Sequence, residues 1–196
     1  MTERVQDALN AAYTRALNEH NTQTTPEHLL AALLEQERGI APDIIKETGV
    51  DPKALAAKAE EAISRLPRLT GVNADQATVT VSPEITRLFS QAESDAKQLQ
   101  DDYISVEHLL LATTQNSGTV GRIFRESGLT RDKLLMALRS VRGNQRVTTQ
   151  NPEGTYKSLE RYGRDLTLEA ERGKLDPVIG RCLLYTSDAA DDLTRV

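Results

Sequence analysis

The side chains with chemistry to offer in this 196-residue sequence are three histidines, one cysteine and a few adjacent carboxylates. A zinc protease needs two histidines one helical turn apart around a glutamate, and an acyl-transfer enzyme needs a serine on a tight Gly-x-Ser-x-Gly turn. Neither string occurs, and no two of His20, His28 and His108 lie one helical turn apart. Gly173-Lys174 is followed by Leu175 rather than Ser or Thr, with no glycine five residues before it, so the phosphate-cradling loop of an ATPase is missing. Glu60-Glu61 and Asp101-Asp102 could do acid and base work, but such pairs are ordinary on solvated helical faces. Cys182, alone, makes no internal disulfide and no Cys-rich zinc site. The expectation is a chain with no catalytic residue, no metal and no cofactor of its own.

What must position these side chains is a duplicated helical unit. Thr25-Pro26-Glu27-His28-Leu29-Leu30-Ala31-Ala32 returns 80 residues later as Ser105-Val106-Glu107-His108-Leu109-Leu110-Leu111-Ala112. Ile44-Ile45-Lys46-Glu47-Thr48-Gly49-Val50 returns 79 residues later as Ile123-Phe124-Arg125-Glu126-Ser127-Gly128-Leu129. Ahead of each pair lies an amphipathic stripe, Val5, Ala8, Leu9, Ala12 and Ala16 against Ile85, Leu88, Phe89, Ala92 and Ala96. Thr25-Pro26, Asp51-Pro52 and Ser82-Pro83 put a capping oxygen before a proline, which suits the first turn of a helix. Gly49 and Gly128 suit the left-handed residue beyond a helix end.

These signals predict helices over about 3–19, 26–37, 40–47, 52–65, 83–99, 105–114, 119–126 and 130–141. The expected fold class is all-α: two pseudo-repeated four-helix units (about 1–66 and 82–141), eight helices in all, then a linker and a short helix. Pro67 to Val81 reads as a connecting loop, since the alternation in Ala77-Thr78-Val79-Thr80-Val81 is too short for a sheet of its own. Residues 142–154 carry Gly, Pro and polar residues without a stripe and read as a flexible linker, with a short helix to follow from about Thr155 to Glu171. His28 and His108 share one repeat position near a helix start, where packing or local hydrogen bonding is their expected work. Leu9, Leu88, Phe89, Leu109 and Leu110 are expected in the core, with a groove between the units exposing the edge of some of them.

Charged residues make up 27% of the chain and the formal net charge is −5, which argues against a general nucleic-acid surface. Apolar runs fall far short of the roughly 20 residues needed to cross a bilayer, and the N-terminus lacks a signal-peptide apolar region. A soluble, cytoplasmic protein is expected, without membrane or nucleic-acid partners.

The Pro-Glu-His-Leu-Leu repeat, the linker, the run Gly154-Thr155-Tyr156-Lys157-Ser158-Leu159-Glu160-Arg161-Tyr162-Gly163-Arg164-Asp165-Leu166-Thr167 and the string Lys174-Leu175-Asp176-Pro177-Val178-Ile179-Gly180-Arg181 together resemble the start of a Clp ATPase. The linker favours the disaggregating chaperones over the protease-partnered members. The resemblance covers 1–181 and implies a mobile, substrate-engaging module tethered to AAA+ rings. Residues 155–181 would then open the first ring, incomplete here, and the whole protein would be a hexamer using ATP and magnesium with a partner chaperone system. This fragment alone would be a monomer. The resemblance further implies that Thr2, Asp101 and Glu107 engage unfolded or aggregated polypeptide, and that Val178 and Ile179 lie against adenine in the intact parent. From the residues themselves, Thr2 stands where an N-cap stands, and Glu107 falls in a helix's first turn, where its charge suits the dipole. An adaptor-docking module of a protease-associated Clp ATPase is the alternative. The match stops at Cys182, and residues 182–196 read as a tail foreign to the family.

Overall fold

A computed structural model of the chain describes residues 1–36, 39–69, 79–142 and 146–152. The expected short helix after 155, Val178 and Ile179, and the 182–196 tail lie outside the described residues. Among the described residues the fold is mostly helical, with eight helices. The first unit has α1 (Glu3–Asn18), α2 (Pro26–Glu35), α3 (Ile40–Glu47) and α4 (Pro52–Ser64); the second has α5 (Pro83–Gln98), α6 (Val106–Gln115), α7 (Thr119–Glu126) and α8 (Arg131–Arg142). Capping chemistry sets the starts: the Asp51 carboxylate accepts from the Lys53 amide, and the Ser82 hydroxyl accepts from Ile85. Gly49 and Gly128 take φ of +83° and +71°, the left-handed stop that their sequence positions suggested.

Helices α2 and α6 are buried on nearly every side, from Pro26 to Leu34 and from Val106 to Thr113, and form the two axes of the core. Along α1 the buried positions are Val5, Ala8, Ala12 and Ala16, and their small side chains let α1 lie close on α2. In α5 the same places hold Ile85, Leu88, Ala92 and Ala96, and α5 lies on α6. Leu88, Leu109 and Leu110 are buried as expected, whereas the repeat mates Leu9 and Phe89 are only half-buried, each at the margin of its helix's buried stripe. Arg15 of α1 ties to Glu60 of α4 and to Glu19, and those carboxylates hold its guanidinium charged still more firmly than usual.

The two units are not separate bodies. Helix α3 packs on α6 and α8 of the second unit, and α7 packs on α2 and α4 of the first, so each unit lends its third helix to the other. The segment expected to be a plain loop also takes part. Thr80–Val81 (β2) pairs in parallel with Gln23–Thr24 (β1), and Arg68 bridges to Asn21. Short pairings between residues nearly sixty positions apart leave no local pattern to read, and the two-residue strand at Thr80–Val81 is shorter than any alternation can mark.

Candidate functional site

The sequence positions expected to act together, Thr2, Asp101 and Glu107, meet at one corner. Asp101 is delivered there by the stop of α5. Gln100 adopts a left-handed φ of +59°, and the Asp101 amide reaches back to the Ala96 carbonyl, so the chain reverses and turns the Asp101 side chain inward. His20 and Asn21 repeat this geometry after α1, with φ +56° at His20 and the Asn21 amide on Ala16. Neither stop uses glycine, so neither could be read from residue type.

Asp101 is saturated. Its Oδ2 accepts from His108 Nε2 at 3.0 Å and Arg142 Nη1 at 2.8 Å, and its Oδ1 accepts from Arg142 Nη2 at 3.0 Å and the Val147 amide at 2.8 Å. Arg142 Nη1 also reaches Glu107 Oε1 at 3.1 Å, so one guanidinium joins both carboxylates. The side chains of Asp101 and Glu107 are fully enclosed and that of Arg142 is 10% exposed. Charges this dry persist only because they are paired and hydrogen-bonded. The two carboxylates that the resemblance assigns to polypeptide engagement therefore sit in an internal ion-pair cluster. Arg142, the last residue of α8, is the partner that sequence reasoning missed by placing it in the linker.

The repeat explains the cluster by contrast. In the first unit Asn21 replaces Asp101, and at the 79-residue offset Ile63 replaces Arg142. Asn21 Oδ1 takes the bond from His28 Nε2 at 3.0 Å, and its Nδ2 donates to the Pro67 carbonyl at 3.1 Å. An amide has a donor to give that carbonyl; a carboxylate has only acceptors, so the second unit supplies an arginine and an amide N–H instead. The paired change from Asn and Ile to Asp and Arg was the available signal.

Both repeat histidines do local structural work, as their shared position suggested. Nδ1 of His28 accepts from the Thr25 amide at 3.2 Å, and Nδ1 of His108 accepts from the Ser105 amide at 3.0 Å, closing capping boxes. The proton therefore belongs on Nε2, which donates to Asn21 or Asp101. For His28, burial lowers the pKa from 6.5, outweighing the pull of Glu19 and Glu27. The unfolded chain then binds the proton more readily than the folded one, so stability is full above the unfolded value and falls as pH drops through about 6.5. Melting curves should hold steady above neutrality and shift down on acidification, and His28→Gln should flatten that slope.

Thr2 occupies the N-cap of α1 and is fully buried, but its side chain makes no capping bond, and its Oγ1 has no hydrogen-bond partner among the described residues. Its amide donates to the Ile104 carbonyl at 2.9 Å, joining the start of α1 to the approach of α6. Residues 146–152 close the same corner. Val147 is fully buried, its carbonyl accepts from the Asp102 amide at 3.0 Å, and the Gln150 carbonyl accepts from the Glu3 amide at 2.9 Å. That last bond satisfies one of the open amides at the N-terminus of α1.

Two other hollows bear on binding. The groove between α4 and α7 has mixed charge, with Glu27, Lys58, Arg65 and Arg122 around Leu66 and Ile123. A more apolar groove lies within the first unit, over Leu34, Pro42, Val50, Pro52 and Ala56, rather than between the units. Among the described residues no group of three metal-ligating side chains comes together, and no helix is long and apolar enough to cross a membrane.

Two interlocked helical units, with their histidines and buried carboxylates holding the fold itself, define a duplicated helical module. The chain belongs to the family of the Clp repeat (R) N-terminal domain, whose pattern matches residues 1–155. Chaperone protein ClpB from Bacillus cereus is 45% identical over 181 residues, covering 92% of this chain and 21% of that protein. Chaperone protein ClpB from Clostridium perfringens is 42% identical over 183 residues with the same coverage. The chain thus spans about a fifth of the length of these relatives. The crystal structure of the Hsp104 N-terminal domain from Candida albicans has the same fold, with a TM-score of 0.66 at 21% identity, over 78% of this chain and 98% of that one.

Proposed function

We propose that this chain is the polypeptide-engaging N-terminal module of a longer ATP-driven disaggregating chaperone and does no chemistry of its own. One observation carries the reading: Thr2, from the start of the chain, joins Asp101 and Glu107 at a corner where a stretch of the chain's own backbone is already held. Backbone amide and carbonyl are gripped there while one aliphatic side chain is enclosed, which is a sequence-tolerant way to hold unfolded polypeptide. The half-buried Leu9 and Phe89 and the Leu34–Ala56 groove offer further apolar contact. Its clients are unfolded or aggregated proteins bound weakly in the cytoplasm. In the longer protein, ATP with magnesium, a hexameric ring and a partner chaperone system supply the work, with Val178 and Ile179 against the adenine.

Titrating the isotope-labelled chain with a permanently unfolded protein, reduced carboxymethylated α-lactalbumin, should shift the amide resonances of Thr2, Asp101 and Glu107 ahead of the bulk. Movement of these signals only with a folded adaptor would replace this reading with adaptor docking.

A further inference from the structure

We infer that residues 146–152 are a resident pseudo-ligand of the Thr2–Asp101–Glu107 corner, and that an incoming polypeptide binds there by displacing them. The inference rests on the polypeptide-engaging reading above and adds the occupant and the competition. Three features of the corner point to it.

First, the hold on Val147 is the hold a peptide receptor uses. The amide is bound by a carboxylate and the carbonyl by a backbone amide, with the side chain wholly enclosed. None of these bonds except the enclosure depends on which side chain Val147 carries, so another chain segment with a small aliphatic residue can make them all.

Second, the segment leaves binding capacity unused. Thr2 Oγ1 is buried without a partner among the described residues while 146–152 is in place, and a buried hydroxyl left unbonded is costly. A different segment that reaches this oxygen gains a bond the resident one lacks, which favours the incoming chain in the exchange.

Third, apart from the buried Val147 and Pro152 the segment is exposed, and the ion-pair cluster beneath it is complete without it. Asp101, His108 and Arg142 hold one another without the segment, so its departure removes one of the four bonds on Asp101 and opens no core helix. The segment is held further by the Asp102–Val147 and Glu3–Gln150 main-chain bonds, the bond from Arg146 to Gln100 and the burial of Pro152, all of which a displacing chain must replace.

The test locks or frees the segment in the whole chain. Glu3 and Gln150 are both exposed, and their main-chain hydrogen bond brings them within disulfide range, so Glu3→Cys with Gln150→Cys, in a Cys182→Ser background, should cross-link on mild oxidation. Binding of fluorescein-labelled, reduced carboxymethylated α-lactalbumin is read by anisotropy. The oxidised protein should bind at least roughly tenfold more weakly than the same protein after dithiothreitol, about 1.4 kcal/mol in affinity. Val147→Asp, which puts a second carboxylate beside Asp101, should expel the segment and tighten binding several-fold. Equal affinity in the oxidised, reduced and Val147→Asp proteins would overturn the pseudo-ligand and leave the module's function standing. Failure of the disulfide to form would also count against it, because the segment would then not dwell on α1. If neither the reduced protein nor Val147→Asp binds the probe, the polypeptide-engaging reading itself falls.

Discussion

Expressed alone, residues 1–69 will remain largely unfolded, with weak helical circular dichroism and no cooperative melting transition. The first unit buries Ile40, Ala41, Ile44 and Ile45 on α3, and that helix packs on α6 and α8 of the second unit. Each buried isoleucine is worth about 1.5–3 kcal/mol, so three of them together approach the roughly 5–15 kcal/mol that holds an entire domain. The second unit has the converse problem, since Val120, Ile123 and Phe124 of α7 lean on α2 and α4. Mixing 1–69 with 79–152 should therefore restore helix and a shared melt. A sharp, independent transition for 1–69 would show that the third-helix exchange is incidental to folding.

Asp101→Ala should be the most damaging single polar substitution, lowering stability by about 3–5 kcal/mol because it leaves a buried arginine short of its main partner. For a chain of this size that corresponds to a fall in melting temperature of roughly 10 °C. The Val147 amide and the His108 Nε2–H lose their acceptor in the same step. Asn21→Ala, the same change in the first unit, removes two uncharged hydrogen bonds and should cost about 1–3 kcal/mol. Asp101→Asn should fall between, since its oxygen still accepts while its NH2 confronts the guanidinium. Thermal melts of the three variants rank these contributions, and equal losses for Asp101→Ala and Asn21→Ala would mean that the ion pair adds nothing. Because Asp101→Ala threatens the fold, it is a poor probe of binding; a cross-link at exposed positions is the cleaner one.

The helices were legible because their ends carry chemistry that acts locally. Thr25-Pro26, Asp51-Pro52 and Ser82-Pro83 mark starts, and Gly49 and Gly128 mark stops, each within a turn of the helix concerned. The repeat then carried the same reading into the second unit. What stayed hidden depends on distance in the chain. The β1–β2 pairing, the exchange of α3 and α7, and the docking of Val147 all join residues about forty or more positions apart. The corner was half visible: the family resemblance groups Thr2, Asp101 and Glu107, while residue type alone gives only an N-cap threonine and a first-turn carboxylate. Its enclosure was not, because Arg142 looked like the start of a linker and only the paired difference from Asn21 and Ile63 identifies it as the counter-charge. Thr2 shows the limit of positional inference, since it sits at the cap and yet makes no capping bond.

The docked 146–152 segment also sets the reach of the module. While those seven residues are held, the reach to any point beyond them is counted from 152; with them released, it would be counted from the end of α8. At roughly 3.3–3.6 Å per extended residue, the ten residues from 143 to 152 add about 35 Å of reach. A module on a longer leash sweeps a larger volume and is present at lower effective concentration near any fixed point. If the chain is tethered on its C-terminal side, as the proposed function has it, capture of a client at this corner would lengthen that tether at the moment of capture.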